Sequence, residues 1–143
     1  MSNHFFLALS VCIYLFYIFG LLILTFIKRK TAIKKGRIDY KFFKTYSDFE
    51  EPRDLAVLSR HVANQFELPP VFMLTVVLLL SFSKVEILTV LLAWTFVLVR
   101  VYHSTIHLGS NNILRRAKAY VFGWFIVLAL WIQIMIHFLI ASV

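Results

Sequence analysis

Four long apolar blocks, separated by polar stretches, constrain this chain more than any other feature. The first runs from Phe5 to Ile27 without a charged residue. About 20 such residues cross the hydrocarbon core of a bilayer, and a backbone can span there only with its polar groups bonded internally. The blocks are continuous rather than alternating, so they read as helices. Spans are expected over about residues 4–27, 54–82, 85–107 and 114–141, with 28–53 as the one sizeable loop. This predicts an all-α integral membrane fold, a four-helix bundle formed by residues 1–143 as a single domain. Composition agrees: 61% of the chain is hydrophobic and 15% charged, against about half and about a quarter in soluble domains. Basic residues follow the first block rather than precede it, and no small-residue cleavage site is evident. It therefore reads as a retained span, not a signal peptide.

The net charge of +8 fits either nucleic acid or anionic lipid. Location decides between them. Eight of the fifteen Lys and Arg residues lie from Lys28 to Lys44, directly after the first span, where an anionic leaflet would attract them. No nucleic-acid motif accompanies them. Loop 28–53 and the turn before residue 114 share one side and hold most of the basic residues, while Lys84 falls on the other. The positive-inside rule then places both termini on the non-cytosolic side. Loop 28–53 also carries Tyr40, Phe42, Phe43, Tyr46 and Phe49, as expected of a cap lying among headgroups. Cys12 is the only cysteine, so there is no disulfide framework and the redox compartment cannot be read from it.

Ionisable residues inside spans are expensive and normally face a bundle interior or a wet cavity. Here helical spacing sorts them into three sets. Arg60, Asn64 and Glu67 share one face of the second span, Arg100, His103 and His107 one face of the third, and Arg116 and Tyr120 one face of the fourth. All three sets lie toward the basic end and can converge on one pocket suited to a zwitterionic ligand. An arginine beside a ligand thiol there would favour the thiolate. Plainer readings stand beside this one. Glu67 pairs with Arg60 or Arg100 as helix-packing glue. Arg115, Arg116 and Lys118 are topology charges, and His61 is an interfacial residue. His103 and His107 have metal-ligand spacing but lack a third ligand, so no metal is expected. Pro69 and Pro70 should kink the second span. The turn Gly109-Ser110-Asn111-Asn112 should separate the third from the fourth.

The string Arg60-His61-Val62-Ala63-Asn64-Gln65-Phe66-Glu67-Leu68-Pro69-Pro70 resembles the second-helix signature of the membrane-associated proteins in eicosanoid and glutathione metabolism, the MAPEG family. Arg100, His103, Gly109, Arg116 and Tyr120 fall in register with its microsomal prostaglandin E synthase branch, and four spans with a basic first loop also fit the microsomal glutathione transferases. The wording of the sequence is most similar to bacterial members. The resemblance implies a homotrimer in a bacterial inner membrane, with glutathione as cosubstrate between adjacent subunits. It implies that Arg60, Asn64 and Glu67 hold the peptide's charged ends, that His103, His107 and Tyr120 line its site, and that Arg116 stabilises the thiolate. Lys28 or Arg29 would reach in from the neighbour. Ala63, His107 and Ala117 depart from the prostaglandin synthase pattern and argue against that activity.

The expected function is therefore a glutathione-dependent transferase or peroxidase acting on a lipophilic electrophile drawn from the bilayer. The alternative is a non-enzymatic protein of the same fold that binds a lipid or a protein partner in that cavity. A small transporter subunit is a third reading, against which the chain shows no internal repeat.

Overall fold

The first helix opens where Ser2, in extended conformation, accepts the backbone N–H of Phe5 on its side chain, satisfying one of the free donors at a helix start. In the computed structural model, residues 2–46, 50–82 and 85–141 are described. Phe49 and Lys84, assigned above to the cap and to the far side, lie outside them. Helix α1 spans Asn3–Lys34, continuing past the expected boundary at Ile27 and lifting Lys28 to Lys34 out of the apolar zone. Gly36 ends it in the left-handed region with φ 65, a conformation that costs glycine little.

The cap follows. A short helix α2, Phe42–Thr45, turns the chain back, and Phe42 and Ile38 bury against Ala32 and Leu55. Tyr40 and Tyr46 stay exposed, at the level where aromatic rings partition among headgroups. The Arg29 guanidinium lies 5.0 Å from the Phe43 ring centre and 5.9 Å from that of Tyr46. Arg37 donates to both carboxylate oxygens of Asp54 at 2.6 and 3.2 Å.

The second span is two helices. Helix α3 spans Arg53–Ala63, a 3₁₀ turn covers Asn64–Phe66, and α4 runs Leu68–Leu80. The break thus precedes the expected kink: Pro69 and Pro70 occupy the first turn of α4, where missing N–H groups are tolerated. The carbonyls of Gln65 and Phe66, four residues before them, lose their helical donors. Helix α5 spans Ile87–Leu108 and α6 spans Ile113–Ala141. Among the described residues four helices are long and apolar enough to cross a membrane, counting α3 through α4 as one.

Between helices in lipid, van der Waals packing and polar contacts drive association rather than the hydrophobic effect. The core is accordingly tight. Phe72 and Phe96 stack with ring centres 4.1 Å apart, and Tyr14 meets both edge-on. Phe16 and Ile140 stay more than 70% exposed, as lipid-facing side chains should. At the far end Asn3 donates to the Val85 carbonyl and His137 stacks on Phe82.

Candidate functional site

The break in the second span places Asn64 and Glu67 at the head of a cavity instead of inside a regular helix. Arg100, on α5, lies under the break. It is fully buried, and its Nη2 donates to the Asn64 carbonyl at 2.7 Å. The guanidinium also donates to Tyr14 Oη at 3.4 Å and Gln65 Oε1 at 3.5 Å, while Tyr14 donates to that same Gln65 oxygen at 2.6 Å. No carboxylate meets it: among the described residues the one ion pair is Arg37 with Asp54. Neutral acceptors and the Tyr120 ring, 5.3 Å from the guanidinium carbon, carry this cation.

Glu67 therefore pairs with neither Arg60 nor Arg100. Its Oε2 accepts the Tyr120 hydroxyl at 2.5 Å, a charge-assisted bond of short length. Arg116 directs Nη1 to Asn111 Oδ1 at 2.8 Å and to His107 Nε2 at 3.1 Å. A guanidinium only donates, so His107 accepts on Nε2, and the neutral ring carries its proton on Nδ1.

Asn64, Glu67, His103, Ile113, Arg116 and Tyr120 line a cavity of about 220 Å³. Five of the sequence-derived candidates are thus brought together: Asn64, Glu67, His103, Arg116 and Tyr120. Four are not. Arg60 is exposed outside this wall. His107 is buried behind Arg116 and lines a different cavity, with Lys28. Arg29 donates to Ser59, which in turn donates to Glu51, within the same subunit. A separate apolar groove of about 360 Å³ lies along α6, walled by Leu68, Trp124, Leu128 and Trp131, and the Trp124 ring lies 5.8 Å from that of Tyr120.

His61 is not interfacial. It is fully buried, with its ring centre 5.8 Å from that of His103 and 5.0 Å from that of His107. Its Nε2 lies 2.9 Å from Ser104 Oγ, 3.3 Å from Tyr17 Oη and 3.2 Å from Gln65 Nε2. Tyr17 and Ser104 are themselves bonded. An amide nitrogen only donates, so His61 Nε2 accepts here as well. Despite three close imidazoles, no group of three His, Cys, Asp or Glu among the described residues has metal-binding geometry. Sequence reasoning missed Tyr14, Tyr17, His61, Gln65 and Ser104. The signals were His61 with Gln65 and Arg100 with Ser104 at i, i+4, facing Tyr14 and Tyr17 at i, i+3.

Fold and site together define an integral membrane protein of four spanning helices, with a polar cavity built into the break of its second span. The family model described as MAPEG family matches residues 6–136; the chain belongs to that family, whose members act in eicosanoid and glutathione metabolism. No curated protein and no solved structure matches it.

Proposed function

We propose that this chain, as one membrane domain, is a glutathione-dependent transferase or peroxidase acting on a lipophilic electrophile. The observation that carries this reading is the split of charge in the 220 Å³ cavity, with the Arg116 cation fixed at one wall and the Glu67 carboxylate at another. Glutathione has complementary parts: an ammonium for Glu67, carboxylates for cations, and a thiol to be held as thiolate beside Arg116. The Asn64 side chain adds an amide on the same wall. The groove along Trp124 and Trp131 would admit the second substrate from lipid.

In the transferase reaction the thiol proton leaves, the sulfur bonds to the electrophilic carbon, and the leaving group departs with the bonding pair and takes up a proton. In the peroxidase reaction two thiols reduce a lipid hydroperoxide to the alcohol and water and become a disulfide. The cavity is smaller than the roughly 300–1,000 Å³ of sites that enclose a ligand. One subunit would thus hold part of the peptide and a neighbour the rest, as in a homotrimer. The basic loops would face the cytosol of a bacterial inner membrane and the termini the other side.

Glutathione titrated into purified protein should produce the near-ultraviolet absorbance of a thiolate, and Arg116→Ala should remove it. Absence of binding at millimolar glutathione sinks the proposal. One observation favours a non-catalytic alternative, with a lipid or protein partner in this cavity: Glu67 and Arg116 are already satisfied within the subunit. That reading predicts glutathione-independent folding and no conjugation of an aryl halide.

A further inference from the structure

A second cavity, of about 610 Å³, opens at the basic end of the bundle between α1, α3 and the turn joining α5 to α6. Its polar wall holds three cations, Lys28, Arg37 and Arg53, against one carboxylate, Asp54. That carboxylate is already taken up by Arg37 through both terminal nitrogens. Lys28 and Arg53 therefore leave an uncompensated positive field over the opening. Beside the α5–α6 turn, which adds His107, Ser110 and Asn111, the wall carries an apolar strip of Leu24, Val57, Leu58 and Leu108. Depth matters as much as charge. Lys28 is the first charged residue after the uninterrupted apolar run from Phe5 to Ile27, so the cavity lies where hydrocarbon gives way to headgroups.

An occupant must then be an amphiphile, with an oxyanion for the cations and an apolar body for the leucines. We propose that the cavity binds the phosphate of an anionic phospholipid, with an acyl chain against its apolar wall. Basic pockets between spanning helices are suited to such headgroups, and the arginine fork matches phosphate geometry. A free soluble phosphate would share the chemistry of the head but leave the apolar wall unused.

The two cavities share a wall. His107 and Asn111 line the lipid cavity, and the same two side chains accept from Arg116 Nη1, which lines the other. A phosphate drawing on Asn111 or turning the His107 ring changes the hold on Arg116. Lipid identity thereby reaches the thiolate; this consequence rests on the proposed function, whereas the lipid site itself does not.

The test uses the full chain purified in mild detergent, with retained phospholipid measured by mass spectrometry and thermal unfolding followed in phosphatidylglycerol or phosphatidylcholine micelles. Wild type should retain phosphatidylglycerol and unfold at a higher temperature in it. Lys28→Gln with Arg53→Gln should reduce retention by roughly tenfold or more. Lys30→Gln with Lys34→Gln, which removes equal charge from exposed positions outside the cavity, should not. Val57→Trp keeps every cation but fills the space, and should also release the lipid. Equal retention of phosphatidylcholine, equal loss in the outer-lysine control, or retention in Val57→Trp overturns the site. Stabilisation by inorganic phosphate alone, equal to that by lipid, overturns the lipid as occupant. Lipid retained without any glutathione thiolate overturns the proposed function and leaves this site standing; a thiolate without phosphatidylglycerol selectivity does the reverse.

Discussion

Tyr120 donates its hydroxyl to Glu67 at 2.5 Å while its ring lies 5.3 Å from the guanidinium carbon of Arg100. One phenol thus stands between a carboxylate and a cation that never meet. The arrangement fixes the Glu67 carboxylate at the cavity wall and leaves its second oxygen free for an incoming ammonium. Tyr120→Phe keeps the ring over Arg100 and removes only the donor. Glutathione affinity should fall roughly five- to tenfold, measured by titration, with the unfolding temperature little changed. An unchanged affinity would place the ammonium elsewhere.

Arg100 meets the Asn64 carbonyl, in the 3₁₀ turn at the helix break. Arg100→Met should destabilise the fold by about 1–3 kcal/mol, because the half-buried Asn64 carbonyl loses its donor, while Gln65 Oε1 keeps the Tyr14 hydroxyl. Arg100→Lys should recover part of this, since an ammonium supplies charge but not the planar fork. Unfolding in detergent, followed by helical circular dichroism, measures both.

Asn111 adopts a left-handed conformation, φ 50, while its side chain holds Arg116. The two roles separate by substitution. Asn111→Gly tolerates the backbone and loses the hold on Arg116, whereas Asn111→Ala loses both and should be less stable than the glycine variant by roughly 1 kcal/mol. Both should weaken the thiolate absorbance. If neither does, Arg116 needs no positioning. Gly109→Ala acts on the same turn by contact, since its Cβ would sit 2.7 Å from the Thr105 carbonyl oxygen. It should destabilise the fold by about 1–3 kcal/mol.

His61→Phe preserves a flat ring at a fully buried position but removes the acceptor facing Ser104, Tyr17 and Gln65. Ser104 keeps the Arg100 carbonyl, Gln65 the backbone carbonyl of residue 61 and Tyr17 the Ser104 hydroxyl, so the loss should be about 1 kcal/mol, read as a lower unfolding temperature. A variant as stable as wild type would show that the remaining partners satisfy these groups without the imidazole.

The membrane fold was legible in the chain because hydropathy is additive along sequence: a run such as Phe5 to Ile27 can do little else but span. Helical spacing also carried the faces of α5 and α6, so His103, Arg116 and Tyr120 were set on converging sides before any contact was known. The second span departed from that logic. Treating it as one kinked helix put Arg60, Asn64 and Glu67 on a single face. The prolines instead sit in the first turn of a new helix, α4, and the 3₁₀ residues Asn64 to Phe66 carry Asn64 and Glu67 into the cavity while Arg60 stays outside. His61 read as interfacial because one helix cannot reveal what its neighbours bring; Tyr17, Ser104 and His107 come from α1 and α5.

That the chain crosses the bilayer, and which end is polar, follows from transfer energies local to each segment. Which polar groups meet is settled by the packing of the helices. Glu67 takes Tyr120 rather than an arginine, Arg100 is satisfied by a carbonyl, and His107 holds Arg116 from behind. Those choices depend on distances between helices far apart in the chain, set by packing and by where the backbone lacks a donor.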